Sequence, residues 1–150
     1  MKKINIVCVG KLKEQYLKDG IAEYQKRLGR YATVTTKELV DFATDSDLCV
    51  EKESTAILSA LKGFVIALDI GGKQLSSEEF ATVMDKAFIT NSEITFVIGG
   101  SKGYDDRVRA KADLRLSFGK VTFPHQLIRL MLFEQIYRGF SITEGTPYHK

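Results

Sequence analysis

The chain is poor in the residue types that most often betray a function. Its two cysteines, Cys8 and Cys49, lie far apart and without cysteine neighbours. That excludes a disulfide framework and a CxxC metal site, and leaves each as a small buried hydrophobe. Histidine also occurs only twice, as His125 and His149. So wide a spacing makes a poor metal site, and no acidic cluster is present to hold a magnesium triphosphate. No apolar run approaches the roughly 20 residues that a membrane span needs. MKKINIVCVG opens with two lysines, but its apolar stretch is short and has no small-residue cleavage site. The expectation is a cytoplasmic protein with neither a metal nor a membrane partner.

The common nucleotide motifs are missing too. GxxxxGK[ST] is absent throughout. VIGGSKG, from Val97 to Gly103, places its glycines first, second and fifth where a dinucleotide fingerprint needs first, third and sixth. Ser101 follows a predicted strand but is not in a GxSxG elbow, which argues against a hydrolase triad.

What is present describes an ordinary globule. The 150 residues are 44% hydrophobic and 27% charged, enough for one domain that buries about 70% of its unfolded surface. The net charge of +3 is small, but it is unevenly spread. Residues 1–30 hold eight Lys/Arg against three acids, 31–101 are acidic, and 102–150 hold nine basic residues against five acids. The two basic ends either form one face when the termini fold together or belong to a solvated mixed-charge surface.

Periodicity alternates between strand and helix. Lys3–Val9 alternates and is β-branched, a strand stopped by Gly10. Leu17, Ile21, Tyr24 and Leu28 recur at helical spacing within 14–28, and Gly29 ends that helix. A strand over Thr33–Phe42 and a helix over Ser46–Lys62 follow. FVIALD, Phe64–Asp69, is a continuous apolar run of the kind covered on both faces, and Gly71-Gly72 turns the chain. Ser76 with Glu79 forms a capping-box pattern ahead of a helix. Ile94–Ile98 is another buried strand, 105–112 a short charged helix, and Leu114–Phe118 a fifth strand. Pro124 suits the first turn of a last helix that runs through Gly139. The fold class is therefore α/β, a mostly parallel sheet flanked by helices. Ligands of such sheets bind beyond the carboxyl ends of the strands. Here those ends are glycine-bearing loops at Asp69–Gly72, Gly99–Gly103 and Phe118–Lys120, where backbone can come close to a small molecule.

Three blocks, in order, carry a further identification. IGGSKG, LSFGKVTFPHQLIRLMLFEQIYR and PYHK, together with VGKLKEQYLKDGIAEYQKRL near the start and ALDIGGKQLSSEEFA in the middle, closely resemble the RlmH family of SPOUT-class rRNA methyltransferases. The resemblance spans almost the whole chain. It implies a homodimer with a SPOUT-type sheet and a C-terminal trefoil knot, which nothing in the periodicity reveals. It implies methylation of N3 of pseudouridine 1915 in 23S rRNA, on assembled ribosomes, with S-adenosyl-L-methionine as cofactor. The family's cofactor contacts fall on Leu68, Gly99, Phe118, Gly119, Lys120, Val121, Thr122 and Phe123. Gly119 stands where many members carry serine.

The resemblance also places the tail, Tyr148-His149-Lys150, at the nucleotide site. There His149 is a candidate base or donor, Tyr148 can stack on or hydrogen-bond a pyrimidine, and Lys150 can hold phosphate. Arg138 either engages an rRNA phosphate or an acidic partner across the dimer, or forms a surface ion pair. His125 is open between a functional and a hydrogen-bonded structural role. Leu127, Leu130, Met131, Ile136, Tyr137 and Phe140 form a core or dimer stripe. A tRNA methyltransferase with the same cofactor site and a ribosome-binding module without turnover are the competing readings.

Overall fold

The computed structural model describes residues 1–42 and 47–150. Five strands, β1 (Lys3–Val9), β2 (Thr33–Leu39), β3 (Phe64–Gln74), β4 (Glu93–Ile98) and β5 (Leu114–Ser117), form one sheet in the order β2-β1-β4-β3-β5. Every pairing is parallel, so the mostly parallel sheet expected from the sequence is wholly so. The helices are α1 (Gln15–Leu28), α2 (Asp47–Ala60), α3 (Ser77–Thr90), α4 (Asp106–Lys111) and α5 (His125–Glu144).

Strand alternation divides the core into two layers. Ile4, Ile6, Ile66, Ile94, Phe96 and Leu116 face one way and bury against α1, α3 and α5. Val7, Val9, Val65, Ala67 and Val97 face the other way and meet Ile57 of α2 and Val108 of α4. Apolar strands without polar alternation are thus explained by helices on both faces. The arrangement puts α1 and α5 side by side in one layer, which joins the two basic ends of the chain.

The element boundaries depart from the sequence reading in three instructive places. Gly71-Gly72 does not end β3. Leu68 and Lys73 both pair with Leu116, so residues 69–72 bulge out and the strand resumes. Gly72 makes that possible because a Cβ there would lie 2.7 Å from the Arg115 carbonyl. Gly139 does not end α5 either. A Cβ at Gly139 would overlap the Met84 methyl, so the glycine serves the close crossing of α5 over α3, and the helix continues to Glu144. Gly145, at φ 71°, is the true C-cap, with its amide on the Ser141 and Ile142 carbonyls. Finally, β2 stops at Leu39 rather than Phe42. The expected start of α2 at Ser46 lies outside the described residues.

The expected capping box is present. Ser76 Oγ accepts from the Glu79 amide at 3.0 Å and Glu79 Oε1 accepts from the Ser76 amide at 2.9 Å. Among the described residues no helix is long and apolar enough to cross a membrane.

Candidate active site

The bulge of β3 and the carboxyl ends of β4 and β5 open onto one cleft of about 480 Å³. Its walls are mostly apolar side chains and glycine backbone, the usual make-up of a small-molecule site. Each wall is held by an identifiable contact. Tyr104 is buried, and its hydroxyl donates to the Leu68 carbonyl at 2.8 Å, fixing β3 just before its bulge. Burial and the nearby Asp69 push this phenol well above its ordinary range, so it remains a donor. Asp69, next in the chain, accepts from the Gly71 amide at 3.0 Å and from Arg109 and Arg115 at 3.2 and 3.3 Å. Burial opposes its charge, but the Gly71 amide and Arg109 outweigh it and hold the carboxyl below its usual range.

The β4 loop folds back on itself. The Gly103 amide donates to the Gly100 carbonyl at 2.9 Å. A Cβ on Gly99 would meet the Gly103 carbonyl carbon at 2.9 Å, so the two backbones touch. Beneath Gly100 lies the buried carboxyl of Glu53, which accepts from the Phe42 amide at 3.0 Å. In the β5 loop, Ser117 Oγ accepts from the Gly119 amide at 3.1 Å and donates to the Gly119 carbonyl at 3.0 Å. Gly119 has φ 119°, a left-handed conformation that a side chain would strain. The glycine at this position is therefore a backbone requirement of this loop, whatever a hydroxyl would add.

The far end of that loop is anchored through α5. Arg129, 2% exposed, donates to Glu38 Oε2 at 2.6 Å and to the Gly10 carbonyl at 3.1 Å. Gln126 accepts from the Lys13 amide at 3.1 Å. Together they tie the first turns of α5 to the ends of β1 and β2. Burial works against the Glu38 charge, yet hydrogen bonds from Arg129 and the Leu12 amide keep its carboxyl below the usual range. His125 lines the cleft, with Nε2 near Gly10.

Of the residues singled out from the sequence, Leu68, Gly99, Phe118, Gly119, Val121, Thr122 and Phe123 all line this cleft. Lys120 is exposed in the same loop and is not among the lining residues. Arg138, Tyr148, His149 and Lys150 do not line it either. Three of these four form a separate polar cluster, and Lys150 is exposed at the chain end. Arg138 grips Glu134 through Nη2 at 2.9 Å and Nε at 3.2 Å, and its guanidinium lies 4.8 Å from the Tyr148 ring centroid. The Tyr148 hydroxyl donates to Glu134 Oε2 at 2.8 Å, and its ring meets Tyr137 edge-on at 4.7 Å. Burial, then hydrogen bonds with Tyr24 and Glu134, raise the Tyr148 phenol well above its ordinary range.

His149 is held from both sides. Arg138 Nη1 lies 2.9 Å from Nδ1, and Glu78 Oε1 lies 2.6 Å from Nε2. A guanidinium only donates and a carboxylate only accepts, so Nδ1 is the acceptor and Nε2 carries the proton. Its lone pair is therefore engaged by Arg138 in this arrangement.

Sequence reasoning missed Tyr104, Asp69 and Glu134. Asp69 closes the predicted strand Phe64–Asp69 and Tyr104 comes just after the Gly99–Gly103 loop, positions that mark them once the strands are known. Glu134 lay inside a quoted block, four residues before Arg138, a helical spacing suited to an ion pair. Arg138 does form that ion pair. The apolar stripe of α5 divides: Ile136 and Phe140 are core, while Leu130 and Tyr137 pack at its margin. Among the described residues no group of three or more His, Cys, Asp or Glu gathers as a metal site.

Comparison with known proteins identifies the family. The family described as "Predicted SPOUT methyltransferase" matches residues 1–149. The chain is 53% identical to the ribosomal RNA large subunit methyltransferase H of Clostridium beijerinckii, over 98% of this chain and 99% of that protein. It is 51% identical to the protein of the same name from Streptococcus uberis, over 99% of each. A solved structure, a probable methylase family protein from Haemophilus influenzae Rd KW20, superposes with a TM-score of 0.55 at 13% identity, over 98% of this chain and 70% of that one. At that identity the likeness concerns the fold alone.

Proposed function

The chain belongs to the SPOUT methyltransferase family, and from that premise we propose that it methylates N3 of pseudouridine 1915 in 23S rRNA, on assembled ribosomes, using S-adenosyl-L-methionine. Its enzyme class, an rRNA methyltransferase, follows from near-full-length relatives of that name at about half identity. The observation that supports cofactor use is the cleft: seven residues chosen from three separate sequence blocks line one cavity.

The cleft suits the cofactor chemically. S-adenosyl-L-methionine has an adenine to sandwich and no phosphates to cradle. The site correspondingly offers apolar walls at Leu68, Phe118, Val121 and Phe123, with glycine backbone at Gly99 and Gly119. Thr122 supplies a hydroxyl, and Lys120 completes the loop. When bound, the cofactor supplies a methyl group already activated by its sulfonium, so the protein's tasks are alignment and removal of the N3 proton.

Those tasks fall to the tail cluster. Tyr148 offers a ring and a hydroxyl to the pyrimidine, and Arg138 and Lys150 offer positive charge to RNA phosphate. His149 acts as base or donor. To take a proton it must first release Arg138 from Nδ1, a rearrangement that substrate phosphate can drive by competing for the guanidinium. The basic ends of the chain, joined through α1 and α5, support an RNA-facing surface. The homodimer, the cytoplasmic location and the C-terminal trefoil knot accompany this reading, and the family resemblance is what supports them.

The deciding experiment follows labelled methyl groups from the cofactor into ribosomes with and without the target pseudouridine, with nucleoside mass spectrometry as the readout. Label in N3-methylpseudouridine of 23S rRNA is expected. Label in tRNA with unlabelled ribosomes would refute the substrate.

A further inference from the structure

A buried carboxyl supports the cleft from outside it. Glu53 of α2 is 2% exposed and is not among the lining residues. Its carboxyl nevertheless sits under the β4 wall. A Cβ on Gly100 would lie 2.8 Å from Glu53 Oε1 and 3.2 Å from Val9 Cγ1, so a side chain has no room there. The other oxygen, Oε2, accepts from the Phe42 amide at 3.0 Å and joins the segment after β2 to the same point.

Neighbouring residues of α2 hold the far end of the turn. Ser54, fully buried, accepts through Oγ from the Asp105 amide at 2.9 Å. The Glu51 carbonyl accepts from Arg107 Nη2 at 3.0 Å. These two contacts fix the start of α4, while Glu53 meets the chain where it leaves β4. Between them Gly99, Gly100, Ser101 and Gly103 line the cleft.

The surroundings of Glu53 decide its charge. A buried carboxylate needs a cation or several donors. Among the described residues no lysine, arginine or histidine hydrogen-bonds to it. Lys52 of α2 lies over the Phe42 ring, 5.5 Å from its centroid, and Arg107 of α4 is bonded to Asp105 at 2.8 Å. The titratable group that does face Glu53 is Asp41, through a side-chain hydrogen bond. Asp41 also borders Gly10, where a Cβ would lie 3.6 Å from Asp41 Oδ2 and 4.0 Å from His125 Nε2. Two carboxyl groups do not share a hydrogen bond when both are ionised, so one proton lies between them. Burial raises the Glu53 carboxyl above its ordinary range; the Phe42 amide opposes this and Asp41 adds to it. Glu53 therefore holds the proton and the exposed Asp41 the charge.

We propose that Glu53 is a positioning residue for the cofactor: as a neutral carboxyl bonded to Asp41, it sets the Gly99–Gly103 turn from beneath Gly100. This rests on the reading of the cleft as the S-adenosyl-L-methionine site. When Glu53 loses its proton, two like charges face each other under the turn and Gly100 loses its fixed floor. Cofactor affinity then falls as pH rises. Glutamine at this position keeps the shape, an oxygen for the Phe42 amide and an N–H for Asp41, but it cannot ionise.

The test begins with isotope-labelled full-length protein without cofactor, followed by NMR from about pH 5 to pH 8. The Gly100 and Phe42 amides should show a titration step in the wild type that Glu53→Gln lacks. Calorimetry over the same range should show S-adenosyl-L-methionine affinity falling with pH in the wild type. Glu53→Gln should keep the affinity that the wild type has at the acid end. Glu53→Ala should bind about tenfold more weakly there, the scale of a lost buried polar contact. Gly100→Ala should cost less affinity in the Glu53→Ala background than alone, since the oxygen its methyl strikes is gone. Equal pH profiles in the wild type and Glu53→Gln overturn the proposal. So do a Glu53→Gln protein as weak as Glu53→Ala, a folded Glu53→Ala protein of wild-type affinity, and a Gly100→Ala cost equal in both backgrounds. Where Glu53→Ala does not fold, the glutamine comparison decides alone. Loop resonances that titrate as expected in a protein that binds no S-adenosyl-L-methionine contradict the cofactor reading and leave Glu53 as the support of this turn.

Discussion

The proposed cofactor cleft and the tail cluster are built on opposite principles. The cleft is shaped by backbone: one strand bulge and two strand ends, two touching glycines at Gly99 and Gly103, and a left-handed Gly119. Few of its walls carry charge. The tail cluster is a network of side chains on two helices, α3 and α5, and one chain end, joined by hydrogen bonds among Glu78, Glu134, Arg138, Tyr148 and His149. A backbone site holds its shape when one lining side chain changes. A side-chain network fails when one member is lost, because its hydrogen bonds fix one another. The difference suits the proposed division of labour, in which the rigid part binds a constant cofactor and the networked part handles a proton and an RNA.

Removing the tail breaks this comparison most severely. Deleting residues 148–150 should lower methyl transfer to ribosomes by at least about 100-fold, as expected when acid–base groups are lost. Circular dichroism should show the helices intact. Gly99→Val strikes the other region. Its side chain would drive into the Gly103 backbone, which cannot swing aside. Calorimetry should show cofactor affinity reduced by about tenfold or more, corresponding to at least ~1.4 kcal/mol. The Glu78–His149 contact should survive in its NMR spectrum.

Smaller effects sharpen the boundary between the regions. Glu38→Ala leaves the buried Arg129 without its anionic partner, at a cost of roughly 2–3 kcal/mol in urea unfolding. The pH dependence has a definite sign. Glu38 and Asp69 have carboxyl groups held below their ordinary values. Their stabilisation is therefore full above the unfolded carboxylate range near pH 4–5 and is lost as pH falls through the lower folded values. Unfolding free energy should be flat on this account near neutrality and decline below about pH 4.5, with a shallower decline in Glu38→Ala. Ser76→Ala lies outside the cleft and removes a helix cap beside Glu78. It should cost about 1 kcal/mol and leave cofactor affinity unchanged.

How much was legible followed the same division. Alternation, continuous apolar runs and helical spacing marked all five strands and all five helices, although β2 is largely exposed and α4 buries only Val108. The cleft was legible through glycines and a family resemblance, since both are local in sequence. The exceptions were glycines whose reason lies elsewhere in space. Gly139 reads as a terminator until Met84 is seen against it, and Gly72 reads as a turn until the Arg115 carbonyl is placed beside it. Arg129 likewise looks like an exposed cation, and only the fold brings Glu38 and the Gly10 carbonyl to it. The tail's partners were invisible for the same reason. Glu78 and His149 are 71 residues apart, and no local pattern records their meeting.

The central claim, that cofactor binding belongs to the cleft and not to the tail, is tested most directly by calorimetry. S-adenosyl-L-methionine is titrated into the full-length protein and into the protein lacking residues 148–150. The account predicts dissociation constants equal within about twofold, a difference under ~0.5 kcal/mol. Loss of binding in the shortened protein would contradict it.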